Sequence, residues 1–254
     1  MELILAGHIF QANIAQCFSA TVAPLFDPLT FYCQLRSSNP APFGALLRYG
    51  KLTIASSSPE RFLKLDGQQV ETRPIKGTIA RSADGEEDRR RAKVLLASEK
   101  DRAENVMMVD LLRNDLSRVC TDNSGDVMAL CNSASPRLVS GTLAAGQDAV
   151  SLLRACFPGG SVTGVPKVRS IEIIADLEKV AREVYCGAIG FVGFSGQIDT
   201  NIAIRTVTID GDLTMFHAGG GITAMSTPEA EYEKTLAKAQ RLFDAFDSEI
   251  PGAS

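Results

Sequence analysis

The stretch DTNIAIRTVTIDGDLTMFHAGGGI, residues 199–222, decides how this chain folds. It is rich in Ile, Val, Thr and Phe, and polar and apolar residues alternate along much of it, which is typical of strands with one buried face. Asp210-Gly211 is a turn signal that joins two such strands into a hairpin. With the preceding segment CGAIGFVGFSG, the stretch predicts three strands of an antiparallel sheet.

Further strands and helices are predicted on both sides of this stretch. Residues 43–81 have the pattern of an antiparallel meander, with turn signals at Gly50-Lys51 and Asp66-Gly67. Apolar positions at helical spacing predict helices at about 86–119 (with a possible break near Ser98), 164–183 and 228–246. The sequence therefore predicts an α+β fold, in which antiparallel sheets pack face to face with helices on their outer faces. We expect residues 1–254 to form a single domain.

Composition excludes several classes of protein. A net charge of −4 and a pI near 5.3 argue against a nucleic-acid-binding face, which would be basic. No apolar run approaches the roughly 20 residues that span a bilayer, and the first residues, MELILAGHIFQ, show no signal peptide. The six cysteines are scattered without a Cys-x-x-Cys pair, which is typical of reduced thiols. We therefore expect a cytoplasmic protein that binds neither nucleic acid nor a membrane.

A lysine in the segment VETRPIKGTIARS, residues 70–82, stands in an unusual place. Lys76 lies between Pro74 and Gly77, two residues that weaken a strand, so this segment is adapted to something besides sheet stability. A lone lysine is usually solvated, but the small neighbours here allow close approach of the backbone. We interpret Lys76 as a candidate functional residue.

Other residues point to an anion, and each of them also has a structural explanation. Alternation places Arg205 on one strand face with Asn201 and Ala203, where a guanidinium needs either an anionic ligand or an internal salt bridge. The run GGSVTGVPK leads into a helix, which makes either an anion site or a plain helix start capped by Thr163. Taken together, these features predict a pocket for a small carboxylate-rich anion, with a divalent cation held by carboxylates.

Eight segments in order give the chain a family resemblance. From about residue 7 to about residue 243 it resembles the chorismate-utilising enzymes, a family that includes anthranilate, aminodeoxychorismate, isochorismate and salicylate synthases. The form of the PIKGT segment is that of the aminodeoxychorismate synthases, since anthranilate synthases carry alanine where Lys76 stands. The matching segments are SPERF, PIKGT, KDRAENVMMVDLLRNDL, FPGGSVTGVPK, YCGAIGF, DTNIAIRT, AGGGI and PEAEYEKTLAKA.

The resemblance implies an activity and a set of residue roles. The reaction would convert chorismate and ammonia to 4-amino-4-deoxychorismate for 4-aminobenzoate and folate synthesis, with ammonia from a glutamine amidotransferase subunit. Lys76 would attack the ring and Glu60 would act as general acid. The implied substrate-binding residues are Tyr185, Arg205, Gly219, Gly221, Lys238, Ser161 and Thr163. The implied Mg²⁺ ligands, direct or through water, are Glu104, Glu231 and Asp101.

The chain also departs from the family pattern. Arg137 stands where the family usually has histidine, Lys234 stands where a glutamate ligand of the metal is expected, and we expect the N-terminal portion of the family fold to be absent. Two alternatives to the synthase therefore stay open: a chorismate-binding module without catalytic activity, and another chorismate enzyme of the anthranilate or isochorismate type. Because Glu231 and Lys234 are three residues apart on one helix, a spacing that favours an ion pair, we also expect Lys234 to lie within contact distance of Glu231 or Glu104.

Overall fold

The computed structural model of the chain describes residues 1–75, 84–121 and 138–247, without the side chains of 95–96 and 99–102. These residues form two compact units, and each unit is assembled from separate stretches of the chain. The first contains residues 1–60, 162–189 and those from 201 onward, and the second contains residues 61–161 and 190–200. The prediction of a single domain stays a prediction.

The first unit is built on a six-stranded sheet with the strand order β2-β3-β10-β11-β1-β7. All of its neighbouring strands are antiparallel. Its strands are β1 (Gln11–Thr21), β2 (Phe43–Tyr49), β3 (Leu52–Ser58), β7 (Gly164–Val165), β10 (Thr206–Asp210) and β11 (Leu213–Ile222). Its helices are α1 (Glu2–Leu5), α2 (Pro28–Ser38), α6 (Lys167–Glu178) and α7 (Pro228–Asp247).

The core of the first unit lies between one face of this sheet and the helices α2 and α7. In β11, Phe216 and Ala218 point toward the helices, as the alternation of a strand requires. They pack against Ala239 and Leu242 of α7 and against Phe31 of α2. This packing fixes the position of α7 beside β11, and with it the charged residues at the beginning of the helix.

The second unit contains most of a five-stranded sheet with the order β6-β5-β4-β9-β8. Its strands are β4 (Arg61–Asp66), β5 (Gln69–Arg73), β6 (Val139–Thr142), β8 (Ala188–Val192) and β9 (Ile198–Ile202). The pairs β4–β5 and β5–β6 are antiparallel. Its helices are α3 (Gly85–Ala97), α4 (Glu99–Leu116) and α5 (Ala149–Cys156).

The predicted fold class is confirmed, since antiparallel sheets and helices make up both units. The helix predicted at about 86–119 is present as α3 and α4, with the expected break at Ser98. The helix predicted at 164–183 is shorter than expected. Residues 164–165 form strand β7 instead, and the helix ends at Glu178 because Lys179 takes a left-handed backbone conformation with a φ of 55°.

The strand predicted through Arg205 is interrupted. Residues 198–202 belong to the five-stranded sheet and residues 206–210 to the six-stranded sheet. The chain leaves one sheet for the other at Arg205, whose φ of 49° is incompatible with a continuous strand. The β4–β5 hairpin contains a bulge between Arg61 and Lys64, and Arg73 lies opposite Arg61.

None of the helices in the described part of the chain combines the length and the apolarity needed to cross a membrane.

Candidate functional site

Glu60 and Arg205 lie at two connections where the chain passes from one sheet to the other. Glu60 connects β3 to β4, and Arg205 connects β9 to β10. The Ile202 amide donates to the Glu60 carbonyl and the Ser57 amide donates to the Arg205 carbonyl, both at 3.0 Å. These bonds hold the two connections side by side and fix the left-handed backbone of Arg205. Strained backbone of this kind in a non-glycine residue is concentrated at functional sites.

The guanidinium of Arg205 has an unusual electrostatic environment. It is partly buried, and its Nη1 donates to Asn39 Oδ1 at 3.4 Å. Burial lowers the pKa of Arg205, and the charge of Arg241 lowers it further. Within the described residues, no carboxylate pairs with it, and the buried Nδ2 of Asn39 also has no hydrogen-bond partner. A guanidinium without a carboxylate partner and an amide donor without an acceptor therefore lie together, which is the arrangement that an anionic ligand would satisfy.

The first turns of α7 bring together three charged residues that share one helix face. Glu231, Lys234 and Lys238 are spaced i, i+3 and i+7. Lys234 Nζ donates to Glu231 Oε1 at 3.0 Å, so the predicted ion pair is confirmed. Lys238 Nζ donates to the carbonyl of Gly219 at 2.7 Å. Glu231 and Lys238, two of the predicted site residues, thus face the glycine run of β11 (residues 219–221).

Close packing explains why glycine is required in this run. A Cβ at Gly219 would lie 2.1 Å from the carbonyl oxygen of Ile14 in β1. At Gly221 it would lie 2.0 Å from the side-chain nitrogen of Gln11. At Gly220 it would instead lie 3.4 Å from Glu231 Oε2 and 3.6 Å from Lys238 Nζ, which is ordinary van der Waals contact, so the charged groups of α7 lie directly over the strand at this position.

Tyr185 lies on the other side of β11, because it stacks on His217 and not on a residue that faces α7. The two rings are 5.1 Å apart between centroids, and their planes differ by 13°. Arg182 lies 5.5 Å from the centre of the Tyr185 ring. Burial raises the pKa of Tyr185 well above its ordinary value, so the phenol stays neutral and can donate a hydrogen bond. The predicted substrate-binding residues are therefore divided between the two faces of β11.

The remaining predicted residues are placed as follows. Glu60 is a buried carboxyl in the first unit, and Glu104 and Ser161 are buried in the second. Thr163 is also buried, and its carbonyl accepts from the Asn13 amide. Thr163 is not the cap of the following helix, because Pro166 holds that position without a side-chain cap. Lys76, Arg137 and the side chain of Asp101 lie outside the described residues.

The implied ligands whose side chains are described do not fit the Mg²⁺ that the resemblance implies. The Oε1 atom of Glu231 already accepts from Ser226 Oγ and from Lys234 Nζ, each at 3.0 Å. An ammonium takes the place of an oxygen ligand there, while Mg²⁺ requires oxygen ligands in near-octahedral geometry. Among the residues whose side chains are described, no group of three or more His, Cys, Asp or Glu could hold a metal ion. No chemical step is assigned to Mg²⁺ for this reason.

Sequence analysis missed three residues that the structure places beside the predicted ones. The charge of Arg241 lowers the pKa of Arg205. The spacing of Lys234, Lys238 and Arg241 on α7 could have indicated that Arg241 belongs to the same helix face. His217 and Arg182 flank Tyr185, and no local pattern links them because they come from separate elements.

The comparisons with known proteins agree with this geometry. The profile of the chorismate binding enzymes matches residues 1–244. Aminodeoxychorismate synthase component 1 of Escherichia coli (strain K12) is 46% identical over 248 residues, which cover 95% of this chain and 54% of that protein. Anthranilate synthase component 1 of Haloferax volcanii is 42% identical over 255 residues, covering 96% of this chain and 48% of that one.

A solved structure gives the same result at the level of the fold. Anthranilate synthase component I from Streptococcus pneumoniae TIGR4 superposes with a TM-score of 0.83 at 35% identity, covering 95% of this chain and 55% of that chain. The chain thus spans about half the length of the relatives that it matches. On the match over residues 1–244 and on these identities, the chain belongs to the family of chorismate binding enzymes.

Proposed function

We propose that this chain is the catalytic part of an aminodeoxychorismate synthase component 1, which converts chorismate and ammonia to 4-amino-4-deoxychorismate. The relative from Escherichia coli that bears this name is 46% identical over 95% of the chain. An anthranilate synthase component 1 is 42% identical over a similar length, so overall identity alone does not separate the two activities. Lys76 favours the first, because the resemblance expects alanine at this position in anthranilate synthases.

The observation that carries the proposal is the guanidinium of Arg205. It is partly buried, lies beside a second cation, and has no carboxylate partner among the described residues. Chorismate is a dicarboxylate, and a guanidinium binds a carboxylate through two parallel hydrogen bonds. The ammonium of Lys238, at the glycine run of β11, would meet the second carboxylate. The resemblance also assigns Tyr185, Ser161, Thr163 and the backbone at Gly219 and Gly221 to the substrate site. Tyr185 lies on the opposite face of β11 from Lys238, so these two would not contact the same carboxylate.

The proposed chemistry proceeds through a covalent intermediate. Lys76, deprotonated, attacks carbon 2 of the ring; the 4-hydroxyl leaves as water and takes its proton from the buried carboxyl of Glu60. Ammonia then bonds to carbon 4, the bond from carbon 2 to the lysine nitrogen breaks, and the lysine amine is released. The net reaction replaces a hydroxyl with an amine and releases one water.

The partner and the cellular setting are part of the same proposal. The relatives are named as component 1, which implies a second component. We assign to it the role of a glutamine amidotransferase that supplies ammonia, and we place the reaction in 4-aminobenzoate and folate synthesis in the cytoplasm.

Incubation with chorismate and ammonium, followed by chromatography of the products, tests this function. We expect 4-amino-4-deoxychorismate, while anthranilate or isochorismate would assign the chain to a different chorismate enzyme. Intact-mass measurement with chorismate and no ammonia should show an adduct in the wild type that is absent in Lys76→Ala. Equal turnover of chorismate by both forms would show that Lys76 is not the nucleophile.

A second candidate, a chorismate-binding module without catalytic activity, is favoured by one observation. The ion pair of Lys234 with Glu231 stands where the resemblance expects two carboxylate ligands of a metal. Binding of chorismate without formation of any product, with ammonium and Mg²⁺ present, would support this candidate over the enzyme.

A further inference from the structure

The carboxylate of Glu231 already has a cation beside it. Lys234 Nζ and Ser226 Oγ both donate to its Oε1 at 3.0 Å, and the side chain of Glu231 is only 9% exposed. A divalent cation of the size of Mg²⁺ binds a carboxylate oxygen at about 2.0–2.1 Å, so it would have to displace the ammonium from this oxygen. The positive charge that a metal would bring to Glu231 is therefore supplied by the chain itself.

The same ammonium lies one helical turn from a second one. Lys234 and Lys238 are four residues apart on α7 and share a face with Glu231, which gives two ammonium groups to one carboxylate. Glu231 Oε2 and Lys238 Nζ face the position where Gly220 lacks a side chain.

Lys234 also has hydrogen-bonding capacity left. An ammonium carries three N–H donors, and the one contact found for Lys234 among the described residues is with Glu231. Its side chain is 49% exposed, so the remaining donors can reach a ligand without a large rearrangement.

We propose that the Lys234 ammonium takes the place of a divalent cation in this chain: it neutralises Glu231 and binds a carboxylate of the anionic ligand, so that binding does not require Mg²⁺. The identity of the ligand, chorismate, rests on the proposed function. The replacement of the metal rests on the contacts of Lys234 and Glu231.

Calorimetric titration of chorismate, in EDTA and in excess Mg²⁺, tests the inference. We expect the Kd of the wild type to agree within about twofold in the two conditions. Lys234→Glu should bind about tenfold more weakly in EDTA, the size of one lost hydrogen bond between charged groups, and should recover with Mg²⁺. The matched control is Lys51→Glu, which makes the same change of charge at an exposed turn position between β2 and β3 and should behave as the wild type.

Two results of this titration would overturn the inference. One is a wild type whose affinity falls about tenfold in EDTA, and the other is a Lys234→Glu variant that binds in EDTA as tightly as the wild type. If Lys234→Glu does not fold, Lys234→Gln replaces it. Lys234→Gln should bind chorismate about tenfold more weakly than the wild type, with or without Mg²⁺. A Lys234→Gln variant that binds chorismate as tightly as the wild type would count against the inference.

A titration of Mg²⁺ without chorismate, followed by Tm, separates the failure of this inference from the failure of the proposed function. If no form of the protein binds chorismate, the proposed function is wrong. The rise of Tm with added Mg²⁺ then tests, without chorismate, whether Lys234 takes the place of the metal. We expect Lys234→Glu to gain a rise that the wild type and Lys51→Glu lack. An equal response of the wild type and Lys234→Glu, whether present or absent in both, overturns the inference.

Discussion

Two partly buried arginines of the first unit, Arg182 and Arg205, differ in how their charges are met. Arg182 donates to both carboxylate oxygens of Glu178 and to the backbone carbonyls of Asn13 and Val162. Burial acts to lower the pKa of Arg182, but the bonds to Glu178 outweigh it and the pKa is raised. For Arg205, burial and the charge of Arg241 act in the same direction, and the pKa is lowered.

The difference separates a structural arginine from a binding arginine. A charge removed from water destabilises the fold unless it is paired, and Arg182 is paired within the protein. Arg205 is held in place by strained backbone at a connection between strands, without a carboxylate partner among the described residues. Burial alone does not distinguish the two residues, whereas the presence of a counter-charge does.

The largest effect is expected at Arg182. Removing one member of a buried ion pair leaves the other charge unpaired, so Arg182→Ala should lower the free energy of unfolding by about 3–5 kcal/mol. Glu178, with a side chain 4% exposed, would be the residue left without its partner. Urea denaturation measures the change.

A matched control for this prediction lies on α6, the helix that ends at Glu178. Arg169 pairs with Glu172, and both side chains are largely exposed, at 43% and 55%. Arg169→Ala should change the free energy of unfolding by about 0–1 kcal/mol. Similar losses in the two variants would contradict the distinction between the buried and the exposed pair.

A pH effect is expected from His217 on the Arg182 side of β11. Burial lowers the pKa of His217 from its ordinary value, and Arg182 adds to this while Glu178 opposes it. The folded protein therefore binds this proton more weakly than the unfolded chain, whose histidine titrates near pH 6.5. Stability should be at its full value above about pH 6.5 and should fall below it by at most about 1.4 kcal/mol per pH unit.

Two histidine variants isolate this effect. In His217→Gln the loss of stability between pH 7.5 and 5.5 should be smaller than in the wild type, while in His8→Gln, at an exposed position, it should be unchanged. Thermal unfolding across this range provides the measurement. A wild type and a His217→Gln variant with the same pH dependence would exclude His217 as the source.

The smallest effect on stability is expected at Arg205. Arg205→Met keeps a long side chain and removes a charge that has no carboxylate partner among the described residues. The free energy of unfolding without ligand should therefore change by less than about 1 kcal/mol, or should rise. A loss as large as that of Arg182→Ala would show that Arg205 is as structural as Arg182, which would break the comparison.

Local patterns predicted a large part of the fold. The Asp210-Gly211 turn joins β10 to β11 as expected, with Asp210 opposite Leu213, and α7 lies close to its predicted range. The predicted strand through Arg205 was wrong because its interruption is tertiary. The Arg205 carbonyl is bound by the amide of Ser57, which is far away in the sequence.

The candidate site also contains both features that local patterns predict and features that depend on tertiary contacts. The contact of Lys234 with Glu231 could be predicted because both lie on one helix at a fixed spacing, and it is confirmed. The lack of a counter-charge for Arg205 could not be predicted, since its neighbours Asn39, at the C-cap of α2, and Arg241, in α7, are brought to it by tertiary packing. Pairs within one helix can be predicted from their spacing, whereas pairing between elements is determined by the fold.

Calorimetric titration of chorismate into the wild type, Arg205→Met and Arg169→Ala tests most directly whether Arg205 binds the ligand. A guanidinium that meets a carboxylate contributes a hydrogen bond between charged groups, so Arg205→Met should weaken binding by about tenfold to a hundredfold. Arg169→Ala should leave the Kd unchanged. Equal affinity of the wild type and a folded Arg205→Met variant would contradict the assignment of Arg205 as the residue that binds the anion.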